Sequence, residues 1–195
     1  IVLIKTRRLV VRSFLPGDMP EIHRILDRAF GDGSLARDPD ALRERDEWLR
    51  WNMLSHSWFP RMDQPPYGDR AVVLRESGLL VGAAGFVPLI GPFEQIPGLG
   101  PAGRPAIRFV PQFGLFWAID PDHQGRGYAT EAARGLTDYA FRELHLARVI
   151  ATTAYANAAS QAVMRKLGMR LEHNPFPQPD WLQVVGILEN DANDG

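Results

Sequence analysis

The sequence predicts an α/β fold, a layer of strands flanked by helices with at least one parallel strand pair. Three observations lead there. Strand-like apolar runs alternate with helix-period segments through the second half of the chain. The apolar run "QFGLFWAID" passes straight into a glycine turn and then into a helix-period segment. The length of 195 residues suits one domain, 1–195, with a sizeable core, or at a stretch two small ones.

The elements follow in order. "RRLVVRSF" (7–14) is short and β-branched and reads as a first strand. Asp18, with Glu21 three residues on, reads as a capping box, and Pro20 suits a first turn. Met19, Ile22, Ile25, Leu26 and Ala29 then recur at helical spacing. Asp38 and Pro39 open a second helix, "RDPDALRERDEWLRWNML". Trp48, Trp51 and Trp58 cluster at and beyond its end, as packing residues or as the wall of a substrate groove. A Ser-Gly turn between two apolar runs marks a hairpin, 71–76 with 79–87. Residues 88–106 are rich in Pro and Gly and read as a long loop. Residues 112–120 are apolar on both faces, as a central strand is. Ala129, Ala132, Ala133, Leu136, Ala140 and Leu144 mark one face of a helix running to about His145. "ARVIATTA" is a buried-type strand, "NAASQAVMRKLGM" a short helix closed by Gly168, "HNPFPQPD" a loop, and "DWLQVVGILEN" a last strand.

Composition narrows the function. The net charge is −1, from 22 basic and 23 acidic residues, so there is no bulk attraction to nucleic acid or anionic lipid. There are no cysteines, which excludes disulfides, thiolate metal sites and a cysteine nucleophile, and fits a reducing cytoplasm. The opening "IVLIKTRRLVVRSF" lacks the apolar core and cleavage site of a signal peptide. No apolar run reaches the roughly 20 residues that span a bilayer. None of the five histidines falls in a metal-binding spacing, so no metal is expected.

The chemistry concentrates at "DPDHQGRGYATEAARGL" (120–136). A strand ends at Asp120, two glycines follow, and a helix begins. The first N–H groups of a helix have no partner within it, and its dipole places roughly half a positive charge there. Glycines leave the backbone open to close approach. The arrangement suits a phosphate or pyrophosphate, or is simply a tight turn. The chain has no P-loop and no G-x-S-x-G. Its G-x-G-x-x-G (Gly98, Gly100, Gly103) lies among prolines without a strand before it, and reads as loop composition.

These residues carry a family resemblance. "FWAIDPDHQGRGYATEA" resembles the acyl-CoA-binding segment of the GNAT N-acetyltransferases, with Gln124, Gly127 and Ala129 at the motif positions. "NAASQAVMRKLGM" resembles the family's next helix, with Asn157, Ser160, Lys166, Leu167 and Gly168 in the usual places. "KTRRLVVRSFLPGD" resembles the opening of the ribosomal-protein N-terminal acetyltransferase (RimJ/RimL) branch. The likeness runs from about Lys5 to Leu188.

The resemblance implies a mixed, mostly antiparallel sheet of six to seven strands with about four helices. It implies acetyl-CoA as donor and CoA as product. The pyrophosphate would lie on the backbone of Gln124, Gly125, Arg126, Gly127, Tyr128 and Ala129. The pantetheine arm would pair with the strand at Phe116, Trp117, Ala118 and Ile119, and Asn157 and Ser160 would also touch the cofactor. An amine would attack the thioester directly, its carbonyl polarised by the N–H of Ala118 or a neighbour. The position of the family's helix tyrosine falls on Met164, so Ser160 or Tyr155 would protonate the leaving thiolate. The strand "RFVPQFGLFW" carries no carboxylate, which leaves Glu94, His123 or a water chain as base. The acceptor would be a protein N-terminus or a small-molecule amine, in the cytoplasm, with a homodimer as an available assembly. Two other readings are a non-catalytic acyl-CoA-binding regulatory module and an unrelated nucleotide-phosphate binder.

Overall fold

The computed structural model describes residues 3–65, 67–101 and 104–190. Its elements are β1 (Ile4–Lys5), β2 (Leu9–Arg12), α1 (Met19–Phe30), α2 (Pro39–Trp58), β3 (Gly68–Leu74), β4 (Leu80–Gly91), β5 (Val110–Ile119), α3 (Tyr128–Arg142), β6 (Arg148–Thr153), α4 (Ala158–Leu167), β7 (Arg170–His173) and β8 (Val184–Glu189). The strands are hydrogen-bonded in the order β1-β2-β3-β4-β5-β6-β8-β7, and β5 with β6 is the parallel pair. The α/β class and the four helices agree with the sequence reading. The sheet has eight strands rather than six or seven, because β1 and β7 are edge strands of two and four residues, too short to show alternation. The expected first strand, 7–14, is narrower: Thr6 N–H donates to Leu9 C=O at 2.9 Å, and that turn divides β1 from β2.

The chain forms two compact units, Ile1–Phe86 with Phe116–Leu136, and Val87–Leu115 with Thr137–Gly195. In the first unit, β2, β3 and β4 pair antiparallel, with Val11 beside Val72 and Ala71 beside Ala83. Ile22, Ile25 and Leu26 of α1 and Leu49 of α2 pack with Phe14, Ala71, Val73, Leu80, Ala83 and Ala118. The helix starts differ from one another. Asp38 caps α2, accepting the Ala41 N–H at 2.8 Å. Asp18 does not cap α1: its carboxylate accepts two N–H bonds from Arg12 and the Leu15 N–H, which fixes the chain before the helix instead.

The inner face of α2 is polar in its second half. Asn52 and Ser55 are buried, and Asn52 Oδ1 accepts the Asp69 N–H at 2.6 Å. Of the three tryptophans, Trp48 packs, edge-on to Phe14 at 5.2 Å, whereas Trp51 and Trp58 are half exposed. The packing reading therefore holds for Trp48 alone. His56 lies within 2.9 Å of Ser13 Oγ through Nδ1, and its buried Nε2 has no partner.

The second unit is built on β6 and β8, antiparallel from Arg148 with Glu189 to Thr153 with Val184. Its core joins Phe93, Ile96, Ile150, Leu182, Val185 and Ile187. The expected loop at 88–106 is partly ordered: β4 runs on to Gly91, and a 3-10 turn at Phe93–Gln95 buries Phe93. Gly98 and Gly100 lie in this loop, and Gly103 lies outside the described residues. The last strand begins at Val184 rather than 180, because Leu182 N–H turns back to Pro179 C=O at 2.9 Å. Helix α3 ends at Arg142, three residues short of His145, which has a left-handed φ of 51°. Gly168 closes α4 as expected, at φ 90°.

Two partly buried groups, Asp69 of β3 and His56 of α2, set a pH dependence. Burial pushes the Asp69 carboxyl up from 3.8 to about 7, against the opposing pull of Arg70, the Trp48 side chain and Arg45. Burial, reinforced by Arg70, pushes His56 down from 6.5 to about 4. Between about pH 4 and 7 the folded chain keeps a proton on Asp69 that the unfolded chain loses, so this group lowers stability as pH rises. Between about pH 4 and 6.5 the unfolded chain binds a proton at His56 that the folded chain refuses, so this group raises stability as pH rises. The two slopes oppose each other. Asp69→Asn is therefore expected to steepen the rise of stability with pH over this window, and His56→Gln to turn it into a fall. Urea unfolding of both variants at several pH values checks the pair, and parallel curves for wild type and variants would refute it.

Candidate functional site

The glycine turn lies between two carboxylates that other residues already hold. Asp120, at the end of β5, is almost fully buried; its N–H donates to Val81 C=O, and its carboxylate accepts from Arg24 at 2.6 Å, Arg28 at 3.4 Å and the Asp122 N–H at 3.2 Å. Burial alone would raise its pKa, but the Arg24 bond and its companions outweigh that and hold it below the usual range. Arg28 also grips Asp122 through two bonds, at 2.7 and 2.9 Å. Downstream, Glu131 in the first turn of α3 accepts from the Thr6 hydroxyl at 2.6 Å, the Arg8 N–H at 2.7 Å and the Arg8 side chain at 2.6 Å. Burial would raise its pKa too, and these three donors together depress it. Arg8 continues to the Arg126 C=O at 2.9 Å and stacks over the Tyr128 ring at 4.6 Å.

Between these clamps the backbone is open. Gly125 and Gly127 have φ of 73° and 79°, in the left-handed region that favours glycine. A side chain on Gly125 would meet nothing within 4 Å. The first paired N–H of the helix is that of Glu131, to Gly127 C=O at 3.0 Å; those of residues 125–130 find no acceptor among the described residues. Gln124 folds back, its Nε2 donating to Ile119 C=O at 2.9 Å, and Arg126 reaches Asp122 C=O at 3.2 Å. Among the described residues these are six unpaired N–H groups at a positive helix end with no capping side chain, a geometry that suits an anion.

The edge of β5 is also defined. Asp120 N–H bonds Val81, so strand alternation turns the backbone groups of Ala118 toward β4 as well, and those of Trp117 and Ile119 toward the opposite edge. Gly82 sits against the Ala118 C=O, which agrees with this register. The Ala118 N–H thus faces the ladder, and its neighbours turn their groups to the other edge, where the Ile119 C=O is already taken by Gln124 Nε2. On that opposite edge β5 pairs with β6 at Gly114 and Ile150 alone among the described residues.

In the second unit, Asn157 caps α4, accepting the Ser160 N–H at 3.0 Å. The Ser160 hydroxyl has no hydrogen-bond partner among the described residues. Tyr155 is committed: its OH donates to Asn174 C=O at 2.9 Å and its N–H to Gln183 Oε1 at 2.7 Å. Met164 is fully buried against Gly186, where an added Cβ would lie 3.1 Å from its sulfur. Of the candidate bases, Glu94 pairs with Arg108 at 3.0 Å, and His123 lies 3.6 Å from Asp120 in the first unit. The residues named from the sequence, 124–129, lie together on the turn, whereas Thr6, Arg8, Arg24, Arg28 and Glu131, which hold it, were not among them. Only an acid in the first turn of α3 hinted at them.

A family model described as an Acetyltransferase (GNAT) domain matches residues 8–170. "Uncharacterized N-acetyltransferase YnaD" of Bacillus subtilis (strain 168) is 35% identical over 109 residues, and the match spans about half of each protein, 54%. "Uncharacterized protein YkkB" of the same organism is 29% identical over 84% of this chain and 86% of its own length. Among solved structures, an acetyltransferase from Agrobacterium tumefaciens (strain C58) aligns with a TM-score of 0.67 at 24% identity, covering 97% of this chain and 95% of its own. A RimL ribosomal L7/L12 alpha-N-protein acetyltransferase in complex with coenzyme A aligns at 0.65 and 16% identity, covering 98% and 100%. At these identities the two structures show the fold.

Glu131→Gln is expected to lower stability by roughly 1–3 kcal/mol at neutral pH, since it weakens three bonds to one carboxylate. The Glu131 pKa is depressed, so its contribution is present above the unfolded value and fades as pH falls through the folded one. The variant's deficit should therefore shrink in acid. Chemical denaturation at neutral and acidic pH measures it, and an undiminished deficit in acid would contradict the assignment.

Proposed function

This chain belongs to the GNAT acetyltransferase family, and from that premise we propose that it moves an acetyl group from acetyl-CoA to a primary amine. The observation that carries the reading is the row of unpaired N–H groups at residues 125–130. The residues fit the donor: an open, left-handed glycine backbone at a helix start suits a pyrophosphate, held by Gln124, Gly125, Arg126, Gly127, Tyr128 and Ala129. The backbone groups of Trp117 and the Ile119 N–H take the pantetheine amides, the Ile119 C=O being held by Gln124, and the Trp117 N–H, rather than that of Ala118, polarises the thioester carbonyl. Asn157 contacts the cofactor arm while it caps α4. Residues 1–195 act as one acetyltransferase domain in the cytoplasm.

The neutral amine attacks the carbonyl carbon, the C–S bond breaks, and the departing thiolate takes a proton. Ser160 is the donor we favour, because its hydroxyl is uncommitted whereas the Tyr155 proton is held by Asn174. Glu94 is paired with Arg108, which leaves His123, whose Nδ1 has no hydrogen-bond partner, or a water chain to remove the amine proton. The acceptor class is a protein N-terminal amine, as in the RimJ/RimL branch, or a small-molecule amine.

Calorimetric titration of acetyl-CoA, CoA and ADP tests the donor. Wild type should bind both CoA species well beyond ADP, and Gly127→Glu should lose that binding by repulsion and by blocking the turn. Equal affinity for ADP would point to a nucleotide-phosphate binder instead. Ser160→Ala should keep CoA binding while thiol release on a panel of amines falls by about 10²–10⁴-fold. Binding without turnover in wild type would favour the regulatory module.

A further inference from the structure

The outward face of α2 is built for a partner. Trp51, Leu54 and Trp58 are 50%, 57% and 54% exposed, and Met62, just past the helix end, is 59% exposed. The three helical positions are spaced three and then four residues apart, the spacing of a seam between two helices, and cover about 10 Å of helix axis. Side chains of this size, half exposed, leave roughly 500 Å² of apolar surface, at the upper end of what monomers tolerate. The polarity of the helix end is inverted, since the buried positions between them are Asn52 and Ser55.

The ends of the stripe carry opposite charges. Glu47 lies one turn before Trp51 on the same face, is exposed, and has no ion pair among the described residues. Arg61 lies at the other end, its guanidinium over the Trp58 ring at 5.2 Å. A two-fold axis through Leu54 would place Trp51 against the partner's Trp58 and Glu47 against the partner's Arg61, once at each end. Such a face is self-complementary in shape spacing and in charge. Antiparallel helices would also oppose their dipoles favourably.

We infer that α2 pairs antiparallel with α2 of a second copy, through Trp51, Leu54 and Trp58, with Glu47–Arg61 ion pairs closing both ends. A small acceptor amine would cover only a fraction of this stripe and would not use charges of opposite sign at its two ends. The inference stands apart from the acetyltransferase reading.

Sedimentation of the full chain from about 1 to about 100 μM tests it, read as self-association by mass action. Wild type should reach twice the chain mass within that range. Leu54→Glu should weaken self-association by ~10-fold or more, a desolvated charge at the centre of the seam. Glu47→Arg should weaken it through like charge, and adding Arg61→Glu should restore it, a rescue that a general loss of fold would not show. Circular dichroism checks that the exposed substitutions leave the fold intact. A monomeric wild type overturns the inference, as does a dimer indifferent to Leu54→Glu or a charge swap without rescue. A monomer in which Trp51→Ala changes KM for an amine would assign the stripe to the acceptor and overturn it equally.

Discussion

The start of α3 is uncapped among the described residues, and the contacts around it keep it so. An ordinary helix satisfies its first N–H groups with a serine or aspartate at the cap. Here the cap position is Gly127, which has no side chain to offer. The nearby acids that would fill the cradle are each held elsewhere: Asp120 by Arg24, Asp122 by Arg28, and Glu131 by Thr6 and Arg8. These contacts fix the turn from both sides while leaving its N–H groups free. Arg8, Arg24 and Arg28 balance the three carboxylates they bind, whereas Arg126 bonds only a backbone carbonyl, so any anion here would meet aligned N–H groups and the helix dipole more than net charge.

Helix α2 shows a different compromise. Its inner face joins β3 through polar contacts, with the Asp69 N–H on Asn52 and the Asp69 carboxyl against Trp48. Burying an acid there opposes stability near neutral pH, while the neutral His56 beside Ser13 offsets the trend from the other direction. Large apolar groups displaced from the inner face stand on the outer one. A helix arranged this way gains little from its own unit at its outer positions.

The elements that were legible in the sequence are those whose signals are local. Asp38, Asn157 and Gly168 end helices through contacts within four residues, and each behaves as its residue type predicts. The glycine turn was legible because left-handed φ values restrict the residue choice. Asp18 misled, because a distant competitor, Arg12 on β2, took the carboxylate that the capping pattern assigned to the helix. The clamps on the turn were illegible for the same reason: Arg24 meets Asp120, and Arg8 meets Glu131, across about a hundred residues of sequence or more, and no local pattern encodes such pairs. The backbone direction of Ala118 depended on register, which shifts with a single residue and is set by the neighbouring strand.

The absence of a helix tyrosine bears on whether the chain is an enzyme, and packing decides how to weigh it. If Met164 faced an open surface, its thioether would mark a donor that had been lost. Instead it is fully buried beside Met169 and the bare backbone of Gly186, so the position belongs to the core of the second unit. A tyrosine there would bring a buried hydroxyl without an evident partner, and would overfill a contact that already requires glycine opposite it. The methionine thus follows from local packing. Protonation would fall to another residue, and of the two candidates only Ser160 keeps its hydroxyl unengaged, because the Tyr155 proton serves to hold the β7–β8 connection at Asn174. The feature that argued most for a silent binding module is therefore a consequence of how α4 packs on β8.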